Sequence, residues 1–433
     1  MPRIFNRILV VADNTSAMFG GEAILPLHYF RMLRKRGVEA WLITHGRTRG
    51  ELSQTLGEEV NRVHFIPDLW LHRALYRLGK PLPQYVRHFS TGYLMRLITQ
   101  YMARRMARRM IREHEIDLVH QPTPVAPRES SLIHGLGVPV VMGPMNGAMT
   151  YPPAFAKSQE SKVSRALLKL GRWVSGAANR LMPGKIEADV LLVANDRTRE
   201  ALPNGTRGQI MELVENGVDL GMWKFVDRSG RTGPMRFVFT GRLVKMKGVN
   251  YLLEAMKRVT AQMPARLDII GDGPMRAEWE ALANSLGLQE HVNFHGWIKQ
   301  DQCPKFMADA DVLVLPSVFE CGGAVVLEAM ATGLPVIASD WGGPADYLDP
   351  TCGVLVPPQS PQQFVGDLAN AMSKLAADPE LRQRMGLAGR AKVEQNFDWD
   401  RKIDRMTRIY LHAIDGKAQS EQLVPAPADL VTD

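Results

Sequence analysis

Two basic residues follow an apolar run in the second half of the chain. The run RFVFTG ends at Gly241, and the RLVKMKG after it carries Arg242 and Lys247. The next segment, VNYLLEAMKRV, has helical spacing, so both cations and a helix N-terminus are expected at one point. A guanidinium clasps phosphate oxygens through two donors, an ammonium adds a point charge, and a helix start offers backbone amides. The pattern favours a diphosphate site; solvated surface cations are the alternative.

Two glutamates flank a glycine-rich turn. The run DVLVLPS leads into VFECGGAVVLEAMATG, which places Glu320 beside Gly322 and Gly323 and puts Glu328 in the following helix. Apolar neighbours predict that Glu328 is largely buried and needs partners, either ribose hydroxyls or a basic residue in an ion pair. Glu320 is placed to fix sugar hydroxyls or to face positive charge at an anomeric carbon; capping the helix is its alternative role.

Two further candidates lie in the first half of the chain. The segment DNTSAMFGGEA places Gly20 and Gly21 just before a helix, as any tight helix start would also do. His120 ends the run IDLVH, and the prolines of the QPTP that follows indicate a loop. A structural hydrogen bond and a chemical role are both open for this histidine.

The elements that must position these residues alternate along the chain. Short apolar runs and amphipathic helical stretches follow each other, a pattern typical of parallel sheets with crossover helices. The predicted strands of a first sheet are RILVVA, VEAWLIT, IDLVH, VPVVMG and VLLVA, and those of a second are RFVFTG, RLDIIG, VNFHG, DVLVLPS and PVIAS. Ligands of such sheets bind beyond the carboxyl ends of the strands, which is where the candidate residues fall.

Composition limits the class of protein. A chain of 433 residues can bury two domain cores, and the polar stretch 215–234 is the predicted linker between them. Three scattered cysteines give neither a disulfide framework nor a zinc spacing, and the N-terminus lacks a signal-peptide pattern, so we expect a cytoplasmic protein. A net charge of +8 favours anionic partners such as nucleotides, phosphorylated lipids or a membrane surface.

The segment from about 215 to 400 resembles the retaining glycosyltransferases of family 4, which have the GT-B fold. The resemblance rests on motifs in the same order: VENGVD, TGRLVKMKG, DIIGDGP, VNFHGW, ADVLVLPS, ECGGAVVLEAMATGLPVIAS and GVLVPP. One departure is the run Cys321, Gly322, Gly323, where the family often has an aromatic residue after the first glutamate.

The resemblance assigns roles to the candidate residues. It implies that Arg242 and Lys247 bind the diphosphate of a donor, that Glu328 binds its ribose and that Glu320 contacts its sugar. Gly20 and Gly21 are similar to the glycine loop that approaches the donor phosphate in this family. His120 resembles the family's cleft histidine near the donor sugar, so Glu320 and His120 are the candidate catalytic residues.

The fold expected from the resemblance is α/β, with two Rossmann-like domains facing each other across a deep cleft. We expect an acceptor domain over residues 1–215 and a donor domain over 216–396. A helix over 397–416 returns to the first domain, and a disordered tail covers 417–433.

A basic and aromatic face is predicted between Leu69 and Arg112, where no acidic residue occurs. Its cations are Arg73, Arg77, Lys80, Arg87, Arg96, Arg104, Arg105, Arg108, Arg109 and Arg112, and its aromatic residues are Trp70, Tyr76, Tyr85, Phe89, Tyr93 and Tyr101. A second basic amphipathic stretch covers 161–185. Both favour peripheral contact with an anionic membrane over a solvated face or a groove for an anionic acceptor, and no nucleic-acid recognition motif is present.

The sequence therefore predicts transfer of a hexose from a UDP- or GDP-sugar to a hydroxyl of a saccharide. A lipid-linked saccharide at the inner face of the cytoplasmic membrane is the favoured acceptor. Retention of the anomeric configuration is implied by the resemblance. No obligatory cofactor or metal is expected. The Asp-Ala-Asp of ADADV is predicted to join a helix end to a strand and not to bind a metal. The alternatives are an epimerase or phosphorylase of similar fold and a non-catalytic basic binding protein. Bacterial surface-polysaccharide or glycolipid assembly is the expected setting.

Overall fold

The computed structural model describes residues 7–18, 21–159 and 175–422 of the chain. These residues form two compact units. Unit 1 contains 7–18, 21–148, 175–215 and 403–422, and unit 2 contains 149–159 and 216–402.

Unit 1 is built on a sheet whose described strands are all parallel. They are β1 (Arg7–Val11), β2 (Glu39–His45), β3 (Val63–Ile66), β4 (Leu118–Gln121), β5 (Val140–Met145), β6 (Val190–Val193) and β7 (Gln209–Glu212). Their order across the sheet is β3-β2-β1-β4-β5-β6-β7. The central strands are continuous apolar runs because helices cover both faces of a parallel sheet, and Leu9, Val119 and Val141 are fully buried.

Unit 2 has a second parallel sheet. Its described strands are β8 (Met235–Thr240), β9 (Ala265–Ile270), β10 (Val292–Gly296), β11 (Val312–Leu315), β12 (Val336–Ser339) and β13 (Gly353–Val356). Their order is β10-β9-β8-β11-β12-β13. Two parallel sheets of this kind confirm the predicted α/β class with two Rossmann-like domains.

The helices are numbered along the chain. They are α1 (Leu25–Lys35), α2 (Arg49–Leu56), α3 (Trp70–Gly79), α4 (Gln84–Arg87), α5 (Tyr93–His114), α6 (Pro153–Gln159), α7 (described at residues 175–181), α8 (Gly184–Glu187), α9 (Asp196–Arg199), α10 (Val249–Thr260), α11 (Arg276–Ser285), α12 (Cys303–Asp309), α13 (Ala324–Ala331), α14 (Gly343–Tyr347), α15 (Pro361–Ala377), α16 (Pro379–Asn396) and α17 (Trp399–Gln422). No helix in the described part of the chain is long and apolar enough to cross a membrane.

Both sheets have a point where the strand order reverses. In unit 1 the chain moves outward from β1 to β3 and resumes on the other side at β4, so the reversal lies between β1 and β4. In unit 2 it lies between β8 and β11. The crossover helices leave such a pair in opposite directions, which opens a crevice at the carboxyl ends of the two strands.

The unit boundaries differ from the predicted contiguous domains. Residues 149–159 belong to unit 2, where the ring of Phe155 meets Tyr251 and Phe364 at centroid distances of 5.5 and 5.9 Å. The predicted linker also packs on unit 2, since Arg228 donates to the backbone carbonyls of Ala310, Met307 and Thr332. Residues 149–159, predicted in the first domain, and Arg228, predicted in the linker, thus both pack in unit 2.

The last helix is longer than predicted. Helix α17 continues through Gln422, six residues beyond the predicted end at 416, because KAQSEQ contains good helix formers and no proline. From Ile403 onward it packs in unit 1, where Arg405 donates to the carbonyl oxygen of Glu212 and Tyr410 is fully buried. Residues 423–433 of the predicted disordered tail lie outside the described residues.

Candidate functional site

The loop after β8 carries the two cations predicted from the sequence. Arg242 directly follows Gly241, Lys247 ends a short 3-10 turn over Lys245–Lys247, and α10 begins two residues later. Gly248 makes this path possible, because its φ is +67° and an added Cβ would lie 2.3 Å from the carbonyl oxygen of Pro316. Only glycine meets both conditions, and without a side chain it leaves the helix start uncapped.

Lys247 and Glu320 are brought together. Their ammonium and carboxylate groups form an ion pair, and the two side chains are only 18% and 13% exposed. The two loops are also joined through the backbone, since Val318 N donates to Met246 O at 2.9 Å. The pair therefore lies where the strand order of unit 2 reverses, between the loops that follow β8 and β11.

Arg242 has a different environment. It is exposed, and its side chain forms no hydrogen bond or ion pair within the described residues. A guanidinium on the same loop as Lys247 with no protein partner is available to an anion.

The glycine-rich turn fixes the backbone around Glu320. Gly323 adopts φ +77° at the start of α13, and Gly343 N donates to Glu320 O at 2.8 Å. An added Cβ on Gly343 would lie 2.1 Å from the carbonyl oxygen of Gly322, and one on Gly342 would lie 2.3 Å from that of Glu320. The glycines thus allow two backbone segments to pack together and hold Glu320 at the strand end.

Glu328 lies in a largely buried helix. Its neighbours Leu327 and Ala329 have no exposed surface, and Glu328 itself is half-buried. Burial raises the pKa of its carboxyl to about 7, and a side-chain hydrogen bond with Gln300 opposes that rise. Within the described residues it has no ion pair, so the predicted ion-pair alternative is absent there.

Sequence reasoning missed Gln300 and Ser317. Gln300 lies in the loop after β10, and a single Gln in a polar loop carries no pattern that would reveal its contact with Glu328. Ser317 follows β11; it is fully buried, and its hydroxyl has no hydrogen-bond partner among the described residues. A short Pro-Ser after an apolar run gives no sign of that burial.

His120 lies in the core of unit 1. It is fully buried; its Nε2 lies 2.7 Å from the carbonyl oxygen of Gly143, and its Nδ1 lies 2.8 Å from the hydroxyl of Tyr410. Both ring nitrogens are therefore occupied by the protein. His120 therefore does not have the expected position near a donor sugar. Its hydrogen bonds support the structural alternative, because they join β4 to β5 and to α17.

The N-terminal glycines are described only in part. Gly20 lies outside the described residues. Gly21 is exposed and begins a 3-10 turn over Gly21–Ile24 with φ +56°, and an added Cβ would meet no atom within 4 Å. Glycine is needed here for backbone conformation, and approach to a donor stays a prediction.

One group of possible metal ligands was not predicted. Ligand atoms of His45, Asp68 and His72 lie within 4.8 Å of one another. Both nitrogens of His72 already have partners, the backbone N–H of Leu69 and the hydroxyl of Thr99. The Asp-Ala-Asp of ADADV ends α12 and leads into β11, and Asp311 pairs with Arg231.

The predicted basic face combines cations with exposed apolar groups, and we call this surface the basic apolar face. Six of the twelve exposed large hydrophobic side chains among the described residues come from its segment: Trp70, Tyr76, Leu78, Val86, Leu94 and Tyr101. Its exposed cations are Arg73, Arg77, Lys80, Arg105, Arg108, Arg109 and Arg112. The side chains of Tyr85 and Phe89 lie outside the description. Exposed apolar groups usually scatter singly over a surface, so their concentration in this one segment of the chain favours an interaction surface.

The second basic stretch is described only in part, where Arg180 and Leu181 are exposed. Residues 160–174 lie outside the described residues. Lys185 is 1% exposed, donates to the carbonyl oxygen of Ala126, and burial lowers its pKa to about 7.

Comparison with known proteins finds a family that part of the chain matches. Residues 223–392 match the family described as glycosyl transferases group 1. The chain is 30% identical over 264 residues to a glycogen synthase of Mycobacterium tuberculosis, covering 58% of this chain and 62% of that protein. It is also 30% identical over 288 residues to a D-inositol 3-phosphate glycosyltransferase of Streptomyces bingchenggensis, with 61% and 62% covered. The chain thus matches less than two thirds of the length of these relatives.

Solved structures support the fold over almost the whole chain. A sucrose-phosphate synthase of Thermosynechococcus elongatus superposes with a TM-score of 0.61 at 20% identity, covering 95% of this chain and all of that one. The HepE protein of Anabaena, in complex with UDP and glucose, gives 0.59 at 18% identity, covering 97% and 100%. These likenesses confirm the expected GT-B class.

Proposed function

We propose that the chain is a glycosyltransferase, because residues 223–392 match the family described as glycosyl transferases group 1. It transfers a hexose from a nucleoside-diphosphate sugar to a hydroxyl of a saccharide acceptor, with retention of anomeric configuration. The observation that carries this proposal is the placement of Arg242, Lys247 and Glu320 at the strand-order reversal of unit 2.

The diphosphate of the donor is the group that Arg242 and Lys247 recognise. Arg242 is exposed and has two donors for a bidentate contact with phosphate oxygens. Lys247 adds a point charge, and the uncapped start of α10 offers backbone N–H groups to the same anion. As the bond to the sugar breaks, negative charge builds on the departing diphosphate, and these groups stabilise it.

Glu320 exchanges partners when the donor binds. In the absence of an anion, its carboxylate is paired with Lys247. A bound diphosphate competes for that ammonium, which leaves Glu320 able to accept hydrogen bonds from sugar hydroxyls. Its negative charge then also faces the positive charge that develops at the anomeric carbon.

Glu328 binds the ribose. It is the acidic member of an otherwise apolar helix, its partner is the neutral Gln300, and the residue as a whole is half-buried. Ribose hydroxyls that donate to the ionised carboxylate would supply the partners that a half-buried charge needs. His120 receives no chemical role here and instead holds α17 against the sheet of unit 1.

The proposed acceptor is membrane-associated, and a lipid-linked saccharide is the favoured candidate. The basic apolar face supports this, because cations attract anionic headgroups while Trp70 and Leu78, which are 77% and 67% exposed, enter the interface. The chain would then work at the inner face of the cytoplasmic membrane in surface-polysaccharide or glycolipid assembly.

Turnover is the direct test. We would incubate the purified full chain with UDP- and GDP-sugars, with and without lipid extract, and measure release of the nucleoside diphosphate. An Arg242→Ala, Lys247→Ala double variant is compared with Arg266→Ala, which removes another exposed arginine from unit 2. We expect release from one donor, lost in the double variant and kept in Arg266→Ala.

Other outcomes identify other functions. Conversion of a sugar nucleotide without acceptor would show an epimerase, and phosphate-dependent cleavage of a glycoside would show a phosphorylase. A folded chain that neither binds nor turns over any of these donors would contradict the proposal.

A further inference from the structure

A short segment from the first half of the sequence packs in unit 2. Residues 149–156, MTYPPAFA, belong to unit 2, although residues 21–148 belong to unit 1, and we call them the crossing segment. Two prolines shape its backbone. Pro153 is the first residue of α6. The carbonyl oxygen of Pro152 accepts from Phe155 N at 2.9 Å and from Ala156 N at 3.0 Å, so the segment has a fixed path.

The crossing segment meets three parts of unit 2 in the order in which their strands lie in the sheet. Met149 and Thr150 contact the loop after β12, and Tyr151 contacts the loop after β11. Phe155 contacts α10, which follows the loop after β8. Strands β12, β11 and β8 are neighbours in that order. Because parallel strands end at the same edge of a sheet, the segment runs along the carboxyl edge, where the proposed donor site lies.

The contact with the loop after β12 reaches the backbone of Glu320. Trp341 Nε1 donates to the carbonyl oxygen of Thr150 at 2.8 Å. An added Cβ on Gly342 would lie 2.5 Å from Cε of Met149 and 2.3 Å from the carbonyl oxygen of Glu320. The backbone of Gly342 therefore lies between Met149 and the turn that carries Glu320.

The contact with the loop after β11 is made directly beside Glu320. The ring centroids of Tyr151 and Phe319 lie 4.8 Å apart, with an angle of 43° between the ring planes, and both residues are half-buried. Phe319 is the residue before Glu320. Aromatic pairs at this separation are stabilising, so Tyr151 restrains the backbone next to the carboxylate.

Phe155 anchors the other end of the crossing segment. Its side chain is fully buried and meets the rings of Tyr251 in α10 and Phe364 in α15 edge to face, at 5.5 and 5.9 Å between centroids. Burial of a whole aromatic ring stabilises this packing. The segment is thus fastened at Phe155, while residues 149–151 meet the loops at the carboxyl edge of the sheet.

These contacts become important when Glu320 loses its ion pair. Without an anion, Lys247 holds the carboxylate of Glu320. A diphosphate that takes over Lys247 removes this restraint but not the contacts of the turn itself. Gly343 N still donates to the carbonyl oxygen of Glu320. Tyr151 still packs on Phe319, so the crossing segment and the glycine-rich turn then hold the carboxylate in place.

We propose that the crossing segment positions Glu320 for the sugar of the donor, with Tyr151 as the principal positioning residue. The inference rests on the proposed glycosyltransferase function and adds to the donor site a part that comes from the first half of the chain. Arg242 and Lys247 lie on the loop after β8, whereas the ring partner of Tyr151 lies on the loop after β11. Loss of the Tyr151 ring therefore weakens binding of the sugar part of the donor and leaves binding of the nucleoside diphosphate unchanged.

The test uses four variants of the full chain. Tyr151→Ala removes the ring, and Tyr151→Phe keeps it. Trp341→Phe removes only the N–H that donates to Thr150 and keeps an aromatic ring. Phe225→Ala is the matched control, because Phe225 is a 42% exposed aromatic residue of unit 2 that packs on Gly333, just before β12 and thus at the opposite edge of the sheet.

Two measurements are made on each variant, with thermal melting to verify folding. Calorimetric titration gives the affinities for UDP and GDP and for UDP-glucose, UDP-galactose and GDP-mannose. Hydrogen exchange reports how firmly the backbone amides of residues 317–323, which include Glu320, are held without any ligand.

We expect the sugar donor that the unchanged chain binds to bind at least about fivefold more weakly to Tyr151→Ala and about threefold more weakly to Trp341→Phe. The matching nucleoside diphosphate should bind to both variants with unchanged affinity, and their amides at 317–323 should exchange faster. Tyr151→Phe and Phe225→Ala should behave like the unchanged chain in both measurements.

Equal weakening of the sugar donor and the nucleoside diphosphate in Tyr151→Ala would show a general structural role and overturn the proposal. Unchanged donor affinity or unchanged amide exchange in the folded Tyr151→Ala variant would also overturn it. Each of these results leaves the proposed function standing, because a donor still binds the unchanged chain. Absence of binding by all of these nucleotides in the unchanged chain would instead refute the proposed function, and this role of the segment with it.

Discussion

The ammonium group of Lys247 and the carboxylate of Glu320 form an ion pair between the loops that follow β8 and β11. The pair is mostly shielded from water, so each charge depends on the other in the absence of a ligand. An anion that takes over Lys247 therefore also changes the state of Glu320. This coupling links recognition of a diphosphate to the availability of a carboxylate for the sugar.

The conformation of Gly248 is expected to fix the path of the loop after β8, which carries Arg242 and Lys247. Replacement by alanine forces a Cβ to within 2.3 Å of the Pro316 carbonyl oxygen at φ +67°. Gly248→Ala should lower the free energy of unfolding by more than the about 1–2 kcal/mol of a left-handed residue alone, and should weaken UDP or GDP binding. Gly287→Ala is the matched control, since its φ is +74° but no atom lies within 4 Å. Urea unfolding and calorimetric titration measure both effects, and equal losses in the two variants would contradict this role.

Binding of the donor should depend on pH through Glu328. Its pKa is raised to about 7, so the ionised form that accepts from ribose hydroxyls is depleted as pH falls through that value. Affinity for UDP-glucose or GDP-mannose should therefore rise with pH across about 7, while the contribution of Glu328 to folding stability falls as pH rises from its unfolded value of 4.5. Glu328→Gln should bind more weakly and lose this dependence. The same slope in Glu328→Gln would show that another group titrates.

The hydroxyl of Tyr410 should stabilise unit 1 without taking part in transfer. Tyr410→Phe removes a hydrogen bond to Nδ1 of His120 in a fully buried position, which costs about 1–3 kcal/mol of unfolding free energy. Tyr76→Phe, on a 59% exposed residue, should change stability by less than about 0.5 kcal/mol. Denaturant unfolding measures both. A Tyr410→Phe variant with unchanged stability and abolished turnover would restore a chemical role for His120.

The basic apolar face should bind anionic vesicles. Co-sedimentation of the full chain with phosphatidylcholine–phosphatidylglycerol vesicles should exceed that with phosphatidylcholine alone and should fall with added salt. A Trp70→Ala, Leu78→Ala double variant should bind severalfold less, because two exposed apolar side chains are lost. Trp297→Ala removes a 57% exposed tryptophan from unit 2 and should bind like the unchanged chain. Equal sedimentation of all three would contradict the membrane proposal.

The sequence predicted the central strands because each is an apolar run buried on both faces. It missed β3, β7 and β13, which lie at sheet edges; β7 has no buried residue, and the middle residues of β3 and β13 are half-buried. Their four-residue, partly exposed runs resemble loops, although the sequence did predict the edge strand β10.

Residues of the candidate site could be predicted from the sequence where a charged side chain follows the end of a strand. Arg242, Lys247 and Glu320 lie in such loops, and the structure brings Lys247 and Glu320 into contact. Contacts between distant loops were not predictable, as Gln300 with Glu328 shows. The sequence predicts His120 at the end of a strand, but it lies inside β4, and its hydrogen-bond partner Tyr410 is 290 residues away, so no local pattern reveals the contact.

The affinity difference between a nucleoside diphosphate and the matching monophosphate tests the central claim most directly. We would titrate UDP, UMP, GDP and GMP into the unchanged chain, the Arg242→Ala, Lys247→Ala double variant, Glu320→Gln and the control Arg266→Ala. One diphosphate should bind at least about tenfold more tightly than its monophosphate, with the preference lost in the double variant and kept in Glu320→Gln and Arg266→Ala. Equal affinity for the two phosphates in the unchanged chain, or an unchanged preference in the folded double variant, would show that these residues do not hold a diphosphate.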